Sequence, residues 1–268
     1  MKKESQINSK LRANYWNDSY VKYWKERVSE ANQDSLHESK LIIGDKVTTS
    51  DKIYNSAIEF LCINQHDNVL ELGCGFGRSL NLLSGLSKKV TAVDISQEMI
   101  DASKKNVIND NIEFYVSPSE TLPMRNNTYD VVICFAAFDA MYQQEAIVEI
   151  NRVSKIGARI LLTGKNDNYY DDDSDALEAE IGARSKGHPN YFTDVTKLIE
   201  SLSNFGFDII DSKYFHRRGD FSANSFDQKK PDFFYEFLFV LKKHKSSSIT
   251  SDLLLSNKSS KTYERSIS

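Results

Sequence analysis

The stretch "VLELGCGFGRS", Val69 to Ser79, sets an apolar run containing one acid directly against three glycines at every second position. An apolar run that stops at such a turn reads as a buried strand. The glycines let the backbone come close to a ligand, because no Cβ atoms intervene and positive φ is allowed. Turns of this kind between a strand and a helix serve several cofactors, and their spacing separates them. A dinucleotide site for hydride transfer expects G-x-G-x-x-G, whereas Gly73, Gly75 and Gly77 give G-x-G-x-G. A nucleoside-triphosphate loop needs Lys-Ser or Lys-Thr after its last glycine, and Arg78-Ser79 stands there instead.

Two acids narrow the choice. Glu71 lies one residue before the end of the strand, where a buried carboxylate is costly unless a cation or hydrogen-bond donors meet it. Asp94, seventeen residues beyond Gly77, ends a second strand pattern, from which a carboxylate can accept both hydroxyls of a ribose. An amine at one acid and a ribose at the other suit S-adenosylmethionine, which carries an ammonium, a sulfonium and a ribose but no pyrophosphate.

Outward from the turn, strand and helix patterns alternate. "NVLEL", "KVTAVDI", "IEFYV", "YDVVICFAAF" and "RILLTG" read as strands; "RSLNLLSGL", "QEMIDASKKNVI" and "QEAIVEINRVS" read as helices. This spacing predicts a parallel sheet covered by helices on both faces. After a helix in "TDVTKLIESLSNFGF" come two strand patterns, "DIIDSKYF" and "FFYEFLFVLKK", with a polar stretch and no helical period between them, so they pair antiparallel. Residues 1–50 are predicted to be a helical extension. In it Trp16, Tyr20, Tyr23, Trp24 and Val28 recur at three- and four-residue steps, as core packing or as a lid over a ligand. Residues 51–244 form the main domain, and 245–268, with nine serines from 246 onward, read as a disordered tail.

Composition sets further bounds. The 268 residues are 40% hydrophobic and 27% charged, with four prolines, as expected of one main globular domain. The net charge of −4 offers no global field for nucleic acid. Cys62, Cys74 and Cys134 form no CxxC pair, so neither a disulfide framework nor a zinc site is expected. The acidic run "DDDSD" at 171–175 lacks the Gly and terminal Glu of a calcium loop and reads as solvated surface. No metal is therefore predicted. The N-terminus lacks a signal peptide's apolar stretch, and "FFYEFLFVL" is too short to span a bilayer, so a cytoplasmic protein without membrane contact is expected.

From about Asn68 to Lys242 the chain resembles the class I S-adenosylmethionine-dependent methyltransferases of the type 11-like, small-molecule branch. "VLELGCGFGR" resembles the family's first motif, "VTAVDISQEMI" its second-strand acid, "YDVVICFAAF" its fourth strand and "EINRVSKIGARILLT" its fifth-strand region. The resemblance implies a Rossmann-like three-layer sandwich whose seven-stranded, mostly parallel sheet has its last strand antiparallel. It implies that the backbone of Gly73, Cys74, Gly75 and Gly77 cradles the methionine portion of the cofactor. Glu71 would orient the ammonium, Asp94 would hold the ribose, and Ile95 and Met99 would flank the adenine. Where the family usually has an acid this chain has Pro118, so the adenine amino contact falls to Ser119 or Glu120. Phe135 would meet the cofactor through its backbone.

Methyl transfer to a small-molecule hydroxyl, amine or carboxylate is the expected activity, and a hydroxyl calls for a base. Asp139 and Tyr142 after the fourth strand, and His188 in "KGHPNYF", are the candidates. The basic group His216, Arg217 and Arg218, with Tyr169, Tyr170 and Tyr191, would suit a sugar or phosphorylated acceptor. A catalytically inactive methyltransferase-like subunit and a nicotinamide-dependent oxidoreductase are the alternatives. Oligomeric state is not legible.

Overall fold

The structure, a computed structural model, describes residues 10–20, 56–185, 190–247 and 256–257. Seven strands hydrogen-bond as one sheet in the order β3-β2-β1-β4-β5-β8-β7, where β1 is Asn68–Leu72, β2 Lys89–Asp94, β3 Ile112–Val116, β4 Tyr129–Cys134, β5 Ser154–Lys165, β7 Phe207–Phe215 and β8 Glu236–Lys243. A second, two-stranded sheet joins β6 (Phe192–Thr193) to β9 (Ser256–Asn257). The expected alternation is present: α1 (Leu80–Leu86), α2 (Gln97–Asn106), α3 (Gln143–Val153), α4 (Ser174–Ser185) and α5 (Val195–Ser201) separate successive strands. This is the α/β Rossmann-like fold that the sequence predicts.

The chain divides into two compact units, Met1–Pro118 and Ser119–Ser268. In the first, β1 runs parallel to β2 and β2 parallel to β3, with Leu72 opposite Val93 and Asp94 opposite Val116. That register brings the residues after β1 level with Asp94. Val69, Leu70, Val90, Ala92 and Val93 are buried, as expected of strands covered on both faces. The N-terminal residues 10–14 are α-helical and run into a π-helical turn, Tyr15–Tyr20. Tyr23, Trp24 and Val28 of the aromatic stripe lie outside the described residues, and Trp16 packs edge-on against Tyr15.

In the second unit β4 and β5 are parallel, and β8 runs antiparallel to both β5 and β7. β5 begins before the predicted strand "RILLTG": Ser154 pairs with Tyr129 and Arg159 with Val131, and the extra residues bulge around Gly157 at φ 84°. The chain can place β8 inside the sheet because its apolar run, Phe237 to Leu241, is buried on both faces. Lys243 ends that run and is itself buried; its Nζ donates to the carbonyls of Asn151 at 2.7 Å and Ser154 at 2.8 Å, at the end of α3. A cation there meets the negative end of the helix and satisfies carbonyls that the last turn leaves unpaired. The polar stretch after β7 contains one short helix, α6 (Asp220–Ala223), which the sequence pattern does not reveal.

Among the described residues no helix is long and apolar enough to cross a membrane, and no group of three or more His, Cys, Asp or Glu is placed to hold a metal ion.

Candidate functional site

The glycine turn follows β1 directly. Gly73, Gly75 and Gly77 all have positive φ, at 69°, 53° and 84°. At Gly77 the requirement is twofold, since a Cβ there would also collide with the Ser103 hydroxyl of α2. At Gly75 the opposite holds: a Cβ would meet nothing within 4 Å, so the turn presents bare backbone to open space. The amides of Gly73 and Cys74 both donate to the Val93 carbonyl, at 2.8 and 3.0 Å, which ties the turn to β2.

Asp94 organises what lies next to that opening. Its Oδ2 accepts the Gly75 N–H and its Oδ1 the Ser96 N–H, both at 2.9 Å. One carboxylate therefore joins the glycine turn to the start of α2. The carboxylate keeps acceptor capacity beyond these amides, which a ribose hydroxyl can use. Burial raises Asp94 from 3.8 to about 6, and the N–H bonds from Ser96, Gly75 and Ile95 oppose that rise. Ser96 caps α2 by accepting the Met99 N–H, and its hydroxyl donates to Asn17 Oδ1 of the N-terminal π-helical turn at 2.6 Å. Met99 is buried and Ile95 half-buried on this side of the turn.

Glu71 is buried, and the Ser79 hydroxyl donates to its Oε1. The donor that the sequence argument requires is thus partly supplied from the start of α1. Cys74 is buried as well; burial raises its thiol well above the ordinary range, and the charges of Asp94 and Glu71 push it further. The thiol stays protonated and is no nucleophile. These residues fit an adenosyl cofactor on three counts: open space over Gly75, an acid with acceptor capacity to spare, and negative charge suited to an ammonium and a sulfonium.

The other candidates lie in the second unit. Ser119 and Glu120 are buried, and Glu120 Oε1 accepts the Tyr142 N–H at 2.7 Å, at the start of α3. Phe135 packs edge-on against Phe221 at 5.5 Å. Asp139 sits in a one-turn 3-10 helix, Phe138–Ala140, after β4. Its Oδ1 accepts the Lys165 N–H at 2.8 Å, and its carbonyl accepts the Tyr191 N–H at 2.7 Å. Burial raises Asp139 to about 6 against the lowering effect of Lys165. The Tyr142 ring lies 5.8 Å from that of Tyr191, so Asp139, Tyr142 and Tyr191 share one neighbourhood. His188 lies outside the described residues.

One reading of charged residues is corrected. The acidic run at 171–175 is not simply solvated: Asp173 is buried, and it caps α4 by accepting the Ala176 N–H while its other oxygen accepts the Arg218 N–H. The basic group 216–218 is engaged with acids, Arg217 with Asp172 at 3.0 Å and His216 with Asp227 at 2.8 Å. A run of like charge is legible in sequence, but its partners 45 residues away are not. Sequence reasoning also missed Lys165 and Glu180, an ion pair at 2.9 Å between a half-buried lysine and a buried glutamate. Glu180 lies on a helix with little amphipathic pattern, so no local signal marks it.

Residues 70–162 match the family model described as a methyltransferase domain. The chain is 31% identical over 103 residues to the ubiquinone/menaquinone biosynthesis C-methyltransferase UbiE of Hahella chejuensis, covering 35% of this chain and 41% of that protein. It is 34% identical over 87 residues to the malonyl-[acyl-carrier protein] O-methyltransferase of Bacillus anthracis, covering 32% of each. The chain thus spans about two fifths or less of the length of these relatives. Its fold is similar to that of an S-adenosylmethionine-dependent methyltransferase from Mesorhizobium loti, with a TM-score of 0.58 and 12% identity over 73% of this chain and 98% of that one.

Proposed function

We propose that this chain, whose residues 70–162 carry a class I methyltransferase domain, binds S-adenosylmethionine at its glycine turn and transfers the methyl group to a small-molecule acceptor. The observation that carries this reading is the bridge from Asp94 to the Gly75 and Ser96 amides, beside a turn that is open at Gly75. When bound, the cofactor supplies an electrophilic methyl group on a sulfonium. The chain's own residues do the rest.

Asp94 accepts the ribose hydroxyls, and the turn's backbone lies against the methionine portion. Glu71 favours the ammonium, Ile95 and Met99 flank the adenine, and Ser119 or Glu120 serves its amino group. Transfer is an in-line displacement: the acceptor's lone pair forms the new bond to carbon while the sulfur–carbon bond breaks, and no covalent enzyme intermediate is required. If the acceptor is a hydroxyl, its proton passes to a base. Asp139 suits that role, because a carboxylate poised near 6 is ionised at neutral pH and still a useful proton acceptor. Relatives that methylate carbon and oxygen lie at comparable distance, so the acceptor atom is not fixed by them.

The test is calorimetric titration of S-adenosylmethionine, S-adenosylhomocysteine and NAD into the protein, with Asp94→Ala alongside. Micromolar binding of both adenosyl ligands, lost in Asp94→Ala, supports the site. A folded protein that binds neither would sink the enzyme reading in favour of an inactive subunit, and binding of NAD alone would point to an oxidoreductase.

A further inference from the structure

Around Asp139 the second unit gathers a group of buried and half-buried charges that the cofactor reading does not use. Lys165 is the last residue of β5, directly after Gly164. Gly164 lets the Asp139 carboxylate lie against the strand, since a Cβ there would stand 3.1 Å from Oδ1 and 2.8 Å from the Phe237 ring. Lys165 gives Asp139 its backbone N–H, but its ammonium turns to Glu180 of α4 at 2.9 Å. Glu180 is 1% exposed and fully engaged: Oε1 also accepts the Tyr235 hydroxyl at 2.6 Å, and Oε2 accepts the Asn190 amide. Asn190 Oδ1 stands 3.5 Å from Lys165 Nζ.

An ion pair with one partner buried and the other half-buried is weak evidence for stability, because desolvation offsets much of its attraction. Its position is more telling. It fixes where the Lys165 charge lies relative to an acid whose Oδ1 that same residue already holds.

Resting on the reading of Asp139 as the acceptor's base, we propose that Glu180 is a positioning residue for it: Glu180 holds the Lys165 ammonium away, so that Asp139 receives the Lys165 backbone N–H without a direct ion pair and keeps its second oxygen for the acceptor. The charged groups that act on Asp139 are Lys165 on β5 and Glu180 on α4. Glu236 at the head of β8 acts in turn on Lys165, and Arg218 after β7 on Glu180. A carboxylate paired directly with an ammonium would hold its charge too strongly to take a proton near neutral pH. With Glu180 in place, the lowering influence of Lys165 on Asp139 is opposed by the negative charge of Glu180, and burial keeps the carboxyl raised.

The test is a carboxyl ¹³C NMR titration of protein labelled at aspartate Cγ, with Asp139→Asn assigning the signal. It needs neither cofactor nor acceptor. Glu180→Gln should move the Asp139 midpoint down by about one pH unit, because the opposing charge is gone and Lys165 is released toward Asp139. Asn190→Ala, at a half-buried position and with all charges kept, should move it the same way by less, and stands in if Glu180→Gln fails to fold. A midpoint unchanged or raised in either folded variant overturns the proposal and leaves Glu180 a structural residue. A shifted midpoint in a protein that binds no adenosyl ligand would instead overturn the methyltransferase reading on which the role depends.

Discussion

Replacing Asp94 with Asn separates the cost of burying its charge from the work that charge does. The folded protein holds Asp94 at about 6 against an unfolded value of 3.8. An acid whose folded value is raised binds a proton in the folded state that the unfolded chain has already released, so its contribution to stability falls as pH rises between those two values. Linkage puts the penalty at about 1.6 kcal/mol at pH 5 and about 3 kcal/mol at pH 7. Asparagine carries no such penalty, but its amide oxygen can accept only one of the Gly75 and Ser96 amides and its NH₂ faces the other, a loss of about 1–3 kcal/mol. At pH 7 the two effects nearly cancel, and Asp94→Asn should melt close to the wild type. Between pH 5 and 7 the variant should gain about 1.3 kcal/mol on the wild type, read as about 3–5 °C in the difference of melting temperatures. Asp139 titrates in both proteins and cancels from that difference. Adenosyl-ligand affinity should fall about a hundredfold in Asp94→Asn at pH 7, since two hydroxyls lose an ionised acceptor. Thermal scans across pH with parallel calorimetry make both measurements. A difference in melting temperature that is flat from pH 5 to 7 would refute the buried-charge argument, and wild-type affinity in a folded variant would refute the ribose role.

Three further outcomes are expected. Gly206→Ala should lose more than about 2 kcal/mol in a denaturant melt, because φ is 88° and the new Cβ would run into the Lys245 carbonyl and stand 2.6 Å from the Asn151 amide; a neutral result would mean the C-terminal turn relaxes freely. Lys243→Met should cost about 2 kcal/mol or more by removing the donor from the Asn151 and Ser154 carbonyls, whereas Lys242→Met on the exposed face should stay within about 0.5 kcal/mol; equal effects would dismiss the helix-end role. A thiol reagent should modify Cys62 rapidly in the native protein and reach Cys74 and Cys134 only on unfolding, which mass mapping would check; fast labelling of Cys74 would contradict its burial.

The sequence by itself determined the glycine turn, the acids at 71 and 94, the strand–helix alternation and the antiparallel pair at the end of the chain. Each is a local pattern: a period of two or 3.6, a glycine at every second position, an acid at the end of an apolar run. The register of β1 on β2 then only had to place two recognisable segments side by side. Tertiary structure alone decided how the charged residues pair. Lys165 meets Glu180 across 15 residues, Tyr235 meets Glu180 across 55, and Lys243 reaches the carbonyl of Asn151 across 92. In sequence each of these is an ordinary surface residue type. A buried charge must find its partner or stay unionised, and which partner it finds depends on which strands lie adjacent, a matter no local period records. For that reason the cofactor side of the candidate site was legible from about thirty consecutive residues, whereas the surroundings of Asp139 required the fold.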